Sequence, residues 1–296
     1  MQKNNMFGNS KYKDINSLLN ERFTQKKVLV AQHRGAHNGN VPQNTMLAFK
    51  TSLLLGADMF ELDVSRSKDG KLYCFHDTTE EINLRQHKNI QEFTSSAIAE
   101  MELYNSIWEP SAFKVQDMEE VIKSFNHGEL YNVDRSWGKL EETFALLKKY
   151  PHSIKQALLK APPKKEILDK YEVESAKFMF MAIVKSVEDI ELVKSYKNIN
   201  TVGFELIADS EESPMFSDKL ITSLHKDGYF VWINAITLSS LGKHILSGGH
   251  GDNESLIQGF DKGWGVLIKK HFDIIQTDWP ELLSTYRDKL RLGEKQ

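Results

Sequence analysis

A chain of 296 residues with 40% hydrophobic and 27% charged residues has ample material for one large core and none of the marks of a disordered or fibrous chain. Its formal net charge of -3 supplies no long-range attraction for nucleic acid or an anionic membrane. The single cysteine, Cys74, excludes an intramolecular disulfide, and its place in the run Leu72-Tyr73-Cys74-Phe75 reads as a buried structural thiol.

Residues 1–27 are polar and carry no apolar core of a secretory signal, and no run reaches the roughly 18 apolar residues of a membrane span. Those features predict a cytoplasmic protein without integral membrane association. Ile15, Leu18, Leu19 and Phe23 give this N-terminal arm one weak apolar stripe.

From residue 28 to 296 the sequence predicts one domain in which short apolar strands alternate with helices. Strands are expected at 28–32, 59–64, 72–75, 130–133, 157–159, 178–184, 202–207, 230–233 and 274–277. Helices are expected at 45–55, capped by Asn44 and stopped by Gly56, and at 117–125, 141–149, 187–194 and 218–226. Such alternation argues for parallel βα units. Nine strands are one too many for an eight-stranded barrel, and Lys68-Asp69-Gly70 resolves the surplus as a hairpin between the second and third. With that turn centred between Lys68 and Asp69, the antiparallel register sets His76 opposite Glu61. The expected architecture is a (β/α)8 barrel with a hairpin at the second strand. An insertion at about 78–116 is expected to be mostly helical, with one piece near 95–101. The stretch 246–270, with Gly248-Gly249-His250-Gly251-Asp252-Asn253, reads as a loop.

A barrel stave is covered on both faces and should be apolar throughout. Glu61 and Asp63 break that rule on one face of the second strand, and a buried charge must be paired or bind metal. An ion pair to Arg34 or Arg66 competes with the metal reading. Asp134 ends a comparable strand, and three carboxylates suit one hard divalent cation, Mg²⁺ or Ca²⁺. His33 follows the first strand at the barrel end where active sites sit, and with His76 it offers two groups that move protons near neutral pH. Arg34 is a phosphate clamp or an ion-pair partner. Trp232 is a candidate pocket wall, Glu205 a candidate contact for substrate hydroxyls, and His250 and Asp252 read as solvated loop residues or a lid. His37, His87, His127, His152, His225, His244 and His271 read as surface residues.

The ordered set His33-Arg34-Gly35, Pro42-Gln43-Asn44-Thr45, Glu61-Leu62-Asp63, Lys68-Asp69-Gly70, His76-Asp77, Val133-Asp134, Trp232-Ile233-Asn234 and Ile274-Ile275-Gln276-Thr277-Asp278 resembles the glycerophosphodiester phosphodiesterase family. The resemblance implies a small-molecule phosphodiester substrate, His33 and His76 as acid and base, Glu61, Asp63 and Asp134 as ligands of one divalent metal, and Arg34 as a phosphate contact. It also implies differences: the family has glutamate where Gln43 and Asp134 stand, and lysine where Ser136 stands. Arg135 is expected to point to the opposite strand face, so Lys160, ending the next stave, is the expected substitute cation. Two other functions stay open: a barrel that binds a phosphate ligand without turnover, and a phospholipase or lyase acting on a lipid phosphodiester.

Overall fold

The computed structural model describes residues 6–238 and 245–293. Among them lie twelve strands: β1 Leu29–Gln32, β2 Met59–Arg66, β3 Leu72–Cys74, β4 Glu102–Tyr104, β5 Pro110–Lys114, β6 Gln116–Asp117, β7 Leu130–Asp134, β8 Ala157–Ala161, β9 Met179–Val184, β10 Thr201–Leu206, β11 Phe230–Asn234 and β12 Ile274–Thr277. Eight run parallel in the order β1-β2-β7-β8-β9-β10-β11-β12, and β12 returns to β1 with Leu29 opposite Ile274 and Gln32 opposite Thr277. The sheet is therefore a closed (β/α)8 barrel. All nine expected strands are present. Each stave is buried nearly end to end, because the barrel interior covers one face and the helices the other. Among the described residues no helix is long and apolar enough to cross a membrane.

The hairpin forms, but its register differs by one from the expected pairing. Val64 lies opposite Cys74, Ser65 opposite Tyr73 and Arg66 opposite Leu72. The loop holds three residues rather than two, with Ser67 and Lys71 bonded across it (2.8 Å) and Gly70 at φ 91°, so it centres on Asp69. His76 is thus not opposite Glu61. The ladder ends with the Phe75 amide donating to Asp63 O (3.0 Å), and His76 leaves the sheet there.

Three further local expectations change. The helix Met46–Leu54 is capped by Thr45, whose hydroxyl accepts from the Ala48 amide, while Asn44 sits at φ 58° with its side chain turned inward. The insertion carries the expected helical piece at Ser95–Glu100, with short helices Glu80–Asn83 and Ile90–Glu92, and adds strands that were not expected: β4 and β5 form an antiparallel pair, β6 joins β3, and Phe75, Leu84, Ile90, Ile98 and Leu103 give it a small core of its own. β5 escaped notice because its alternation is half exposed and begins at a proline. The glycine-rich stretch after β11 contains the short helices Asp252–Gln258 and Trp264–Lys269, with Gly251 and Gly263 at their N-caps.

The N-terminal arm becomes the helix Lys13–Lys26. Its fully buried Leu19, with Phe7, Ile15, Leu18 and Phe23, packs on Leu29, Met59, Leu130, Val202 and Phe230, the inward side chains at the N-terminal ends of the staves. Asn16 and Asn200 exchange amide hydrogen bonds (3.0 and 2.8 Å) beside this contact. One barrel mouth is thereby plugged with apolar side chains, and the polar side chains gather at the other.

Candidate active site

At the C-terminal ends of the staves the inward side chains change from apolar to polar. Glu61, Asp63, Asn132, Lys160, Glu205, Trp232, Asn234 and Gln276 are all buried there, and Asp134 is partly so. The parallel register places Asp63 beside Asp134 and Glu61 beside Asn132 on adjacent staves. This shared level concentrates the carboxylates on one side of the barrel.

The chain leaves β1 through His33 and Arg34, where Arg34 adopts φ 51° and Gly35 φ 74°. A side chain on Gly35 would lie 2.7 Å from the Ala48 methyl, so the sharp exit that aims His33 and Arg34 over the barrel requires glycine here. His33 Nδ1 lies 3.0 Å from Asp278 Oδ1, and His76 Nδ1 lies 2.7 Å from the Asp77 carbonyl. A carbonyl only accepts, so His76 holds its proton on Nδ1 and presents the Nε2 lone pair; the Asp278 carboxylate likewise holds a proton on Nδ1 of His33.

Arg34 binds both acids of β2. Its amide donates to Glu61 (2.7 Å), and its Nε pairs with Asp63 at 3.1 Å as an ion pair without good hydrogen-bond alignment. Asn44 donates to Asp63 (2.9 Å) and accepts from its amide (3.0 Å). Burial pushes the Asp63 carboxyl up, but Arg34, His76, Asn44 and His33 outweigh it and hold the group below its usual range. Glu61 behaves oppositely: burial raises it well above the usual range, and the charges of Asp63 and Asp134 add to the rise. Burial lowers His76, with Asp63 only partly opposing, so its imidazole is neutral at pH 7.

Lys160 is buried at 1% exposure, with Nζ 2.7 Å from Glu205, 3.5 Å from Asp134, 3.4 Å from Gln276 Oε1 and 4.3 Å above the Trp232 ring. Burial opposes its charge, but Glu205, Asp134 and Glu61 together keep the ammonium strongly protonated. Asn234 links the set by donating to Glu205 (2.8 Å) and accepting from Trp232 Nε1 (2.7 Å). Glu205 and Trp232 therefore sit under Lys160 in the barrel floor rather than on an open pocket wall.

Other placements differ from the sequence reading. Arg135 does not lie on the far strand face; β7 has ended, Arg135 sits at φ 54°, and its guanidinium grips Asp77 (2.6 and 2.8 Å). Ser136 is fully buried with its hydroxyl unpartnered. His37 is no isolated surface residue, since its ring lies 6.4 Å from that of His33. His225 pairs with Asp273 at 2.8 Å, and His244 lies outside the described residues. His250 bonds the Lys262 carbonyl and Glu211.

Asp278 carried no assigned role in the sequence reading, and Asp252, read there as a solvated loop or lid residue, is buried. Asp252 is 2% exposed and accepts from Trp264 Nε1 (2.8 Å), Thr277 Oγ1 (2.7 Å) and the Asp278 amide (2.9 Å). Burial, helped by the nearby charge of Asp278, pushes its carboxyl up to about 7. Asp278 in turn holds His33, so a buried acid from the glycine-rich stretch braces the acid that orients a site histidine. An acid at the end of a barrel strand was the only available signal.

Among the described residues no group of three or more His, Cys, Asp or Glu side chains is arranged as a metal cluster. Glu61, Asp63 and Asp134 are engaged instead by Arg34, Asn44 and Lys160. The donor chemistry nevertheless suits a hard divalent cation, since Glu61, Asp63 and Asp134 are carboxylates of two adjacent staves at the same end of the barrel.

A model of the glycerophosphoryl diester phosphodiesterase family matches residues 33–202, more than half of the chain, and a model described as a domain of unknown function matches residues 178–287. A glycerophosphodiester phosphodiesterase of Caldanaerobacter subterraneus is 42% identical over 76 residues, covering 26% of this chain and 31% of the relative. One from Bacillus subtilis is 30% identical over 138 residues, 42% of this chain and 47% of the relative. The chain spans less than half the length of these curated relatives. A glycerophosphoryl diester phosphodiesterase crystal structure from Parabacteroides distasonis has the same fold, with a TM-score of 0.74 at 19% identity over 96% of this chain and 94% of that one. A phosphodiesterase of Oleispira antarctica, solved with the product sn-glycerol-3-phosphate, gives 0.65 at 14% identity over 90% and 99%. With His33, Glu61, Asp63, His76, Asp134 and Lys160 all inside the matched span, the chain belongs to the glycerophosphodiester phosphodiesterase family.

Proposed function

We propose that the protein hydrolyses glycerophosphodiesters to glycerol phosphate and an alcohol, with one divalent cation and with His33 and His76 as the acid/base pair. The observation that carries this reading is the pair of histidines at the polar end of the barrel, each with Nδ1 engaged by an acceptor and Nε2 left for a substrate. Family membership and the glycerol phosphate bound to the Oleispira relative support the substrate class.

The neutral His76 accepts the proton of the attacking oxygen, from water or the glycerol 2-hydroxyl, as the new P–O bond forms. His33, oriented by Asp278, gives a proton to the leaving alcohol oxygen as the old P–O bond breaks, and the Asp278 carboxylate offsets the imidazolium charge. Arg34 contacts the phosphate, and Lys160 adds positive charge from the floor. Glu61, Asp63 and Asp134 would hold Mg²⁺ or Ca²⁺, which when bound polarises the phosphoryl oxygens.

Glycerophosphocholine and glycerophosphoethanolamine incubated with the protein and Mg²⁺ or Ca²⁺ should release glycerol phosphate, and a chelator should stop the release. Absence of product with both ions and both substrates rejects the reading and leaves a binding barrel. One observation favours a lipid phosphodiester as a second reading. Ile107 and Trp108 are 68% and 59% exposed at the insertion tip, which hydrogen-bonds Gly39 and Asn40 in the loop after His33. Faster turnover of a lysophospholipid than of its deacylated counterpart would establish that substrate instead.

A further inference from the structure

The barrel end opposite the proposed catalytic residues holds a cavity of about 970 Å³. Three distant segments form it: the end of helix Lys13–Lys26, the turn before β12 and the last turns of the helix Pro280–Gly293. Phe7, Phe23, Val28, Ile268, Phe272 and Leu290 make its walls apolar. This size and lining are those of a site for a ligand with a substantial apolar body.

The charges around it are one-sided. Among the described residues Asp273 is the single acid of the lining, and its carboxylate is already committed to His225 Nε2 (2.8 Å) and the Val231 amide (2.7 Å). The buried Arg287 is committed to Asp58 (2.5 Å), the Val28 carbonyl (3.0 Å) and Asp288 (2.9 Å), and Arg291 approaches Asp288 at 3.8 Å. Lys26, Lys27, Lys269 and Lys289 form no ion pair with a carboxylate among the described residues. Four ammonium groups thus surround an apolar cavity in a chain whose net charge is -3. Apolar walls alone would suit a neutral lipid, and clustered lysines alone would suit free phosphate. Together they suit one molecule that has both parts.

We propose that this cavity binds an anionic single-chain amphiphile, its acyl chain against the phenylalanine and leucine walls and its carboxylate or phosphate head among Lys26, Lys27, Lys269 and Lys289. Removing the chain from water drives binding, and the ammonium groups fix the head at the mouth. The site is separate from the phosphodiesterase reading and stands or falls without it.

The test is calorimetric titration of the full chain with sodium oleate and with oleoyl lysophosphatidic acid, both kept below micellar concentration. Both should saturate at one equivalent. Acetate, which has the anion without the chain, and monoolein, which has the chain without the anion, should bind at least tenfold more weakly. The double variant Lys269→Glu/Lys289→Glu should weaken oleate at least tenfold with the melting temperature retained, and Lys269→Gln/Lys289→Gln serves if charge reversal impairs folding. Leu290→Asp should weaken oleate without changing the charge at the rim lysines. The proposal is overturned if oleate shows no saturable binding, if the lysine variants bind it unchanged, or if acetate binds as tightly. Retention on phosphatidylglycerol vesicles without binding of monomeric amphiphile also overturns it, and identifies the patch as a membrane-facing surface.

Discussion

Nδ1 of His33 and Nδ1 of His76 are each committed to an acceptor, so the two side chains differ in what backs them rather than in how they are aimed. His33→Ala and His76→Ala should each lower turnover of a glycerophosphodiester by about 10²–10⁴-fold. Both residues are partly exposed, and their loss should move the melting temperature by no more than a few degrees. A variant that keeps turnover within a few fold of wild type removes that histidine from the chemistry. Asp252 gives a pH-dependent outcome. Its folded value near 7 lies above the ordinary 3.8, so between those values the folded state binds a proton that the unfolded state has released. Stability from this group therefore falls as pH rises from about 4 to about 7. Asp252→Asn abolishes that slope, so its melting temperature should gain on wild type between about pH 4 and about pH 7 and level off above that. Turnover should drop because an amide cannot accept from Trp264, Thr277 and the Asp278 amide together. Parallel melting curves across that pH range would refute the assignment.

The helix Lys13–Lys26 shows how an element with a faint sequence signal becomes structural. Its stripe is narrow because only one side meets the barrel mouth, yet Leu19 is fully buried against stave residues. Leu19→Ala should destabilise the fold by about 2–5 kcal/mol, read by denaturant unfolding, with the KM of any phosphodiester substrate unchanged. A loss below about 1 kcal/mol would show that the plug contributes little. The β2–β3 hairpin teaches the converse. A strong turn signal located the hairpin, but the number of loop residues set the register, and one residue of difference removed the expected pairing of His76 with Glu61. His76 still faces Asp63 because the ladder stops and the chain turns inward.

Across the whole molecule the polar end is one charge network. Lys160 on β8 ties Asp134 on β7, Glu205 on β10, Trp232 on β11 and Gln276 on β12. Lys160→Met leaves Glu205 buried without its cation and should cost about 3–5 kcal/mol of stability. Adding Glu205→Gln should recover part of that loss, since the stranded charge goes with it. A double variant less stable than the single one would show that the network is not held by this pair. The same end carries the proposed metal residues. Mg²⁺ or Ca²⁺ should raise the melting temperature of wild type, because a ligand bound only by the folded state stabilises it. Glu61→Gln and Asp63→Asn should each lose that rise, and an undiminished rise in both would exclude the site.

The sequence by itself determined the barrel, because apolar strands alternating with amphipathic helices can bury their surfaces in few ways and Lys68-Asp69-Gly70 told which strand turned back. It also singled out Glu61, Asp63, Asp134, His33 and His76, since charge in a stave and histidines at strand ends stand out against an apolar pattern. Tertiary structure alone decided what those groups touch. The pairing of His33 with Asp278 spans 245 positions and that of Lys160 with Gln276 spans 116. No local pattern encodes either, because closing a barrel joins the first stave to the last. Asp252 was unreadable for the same reason: its glycine-rich surroundings describe a loop, and only burial against β12 turns it into a brace for the site.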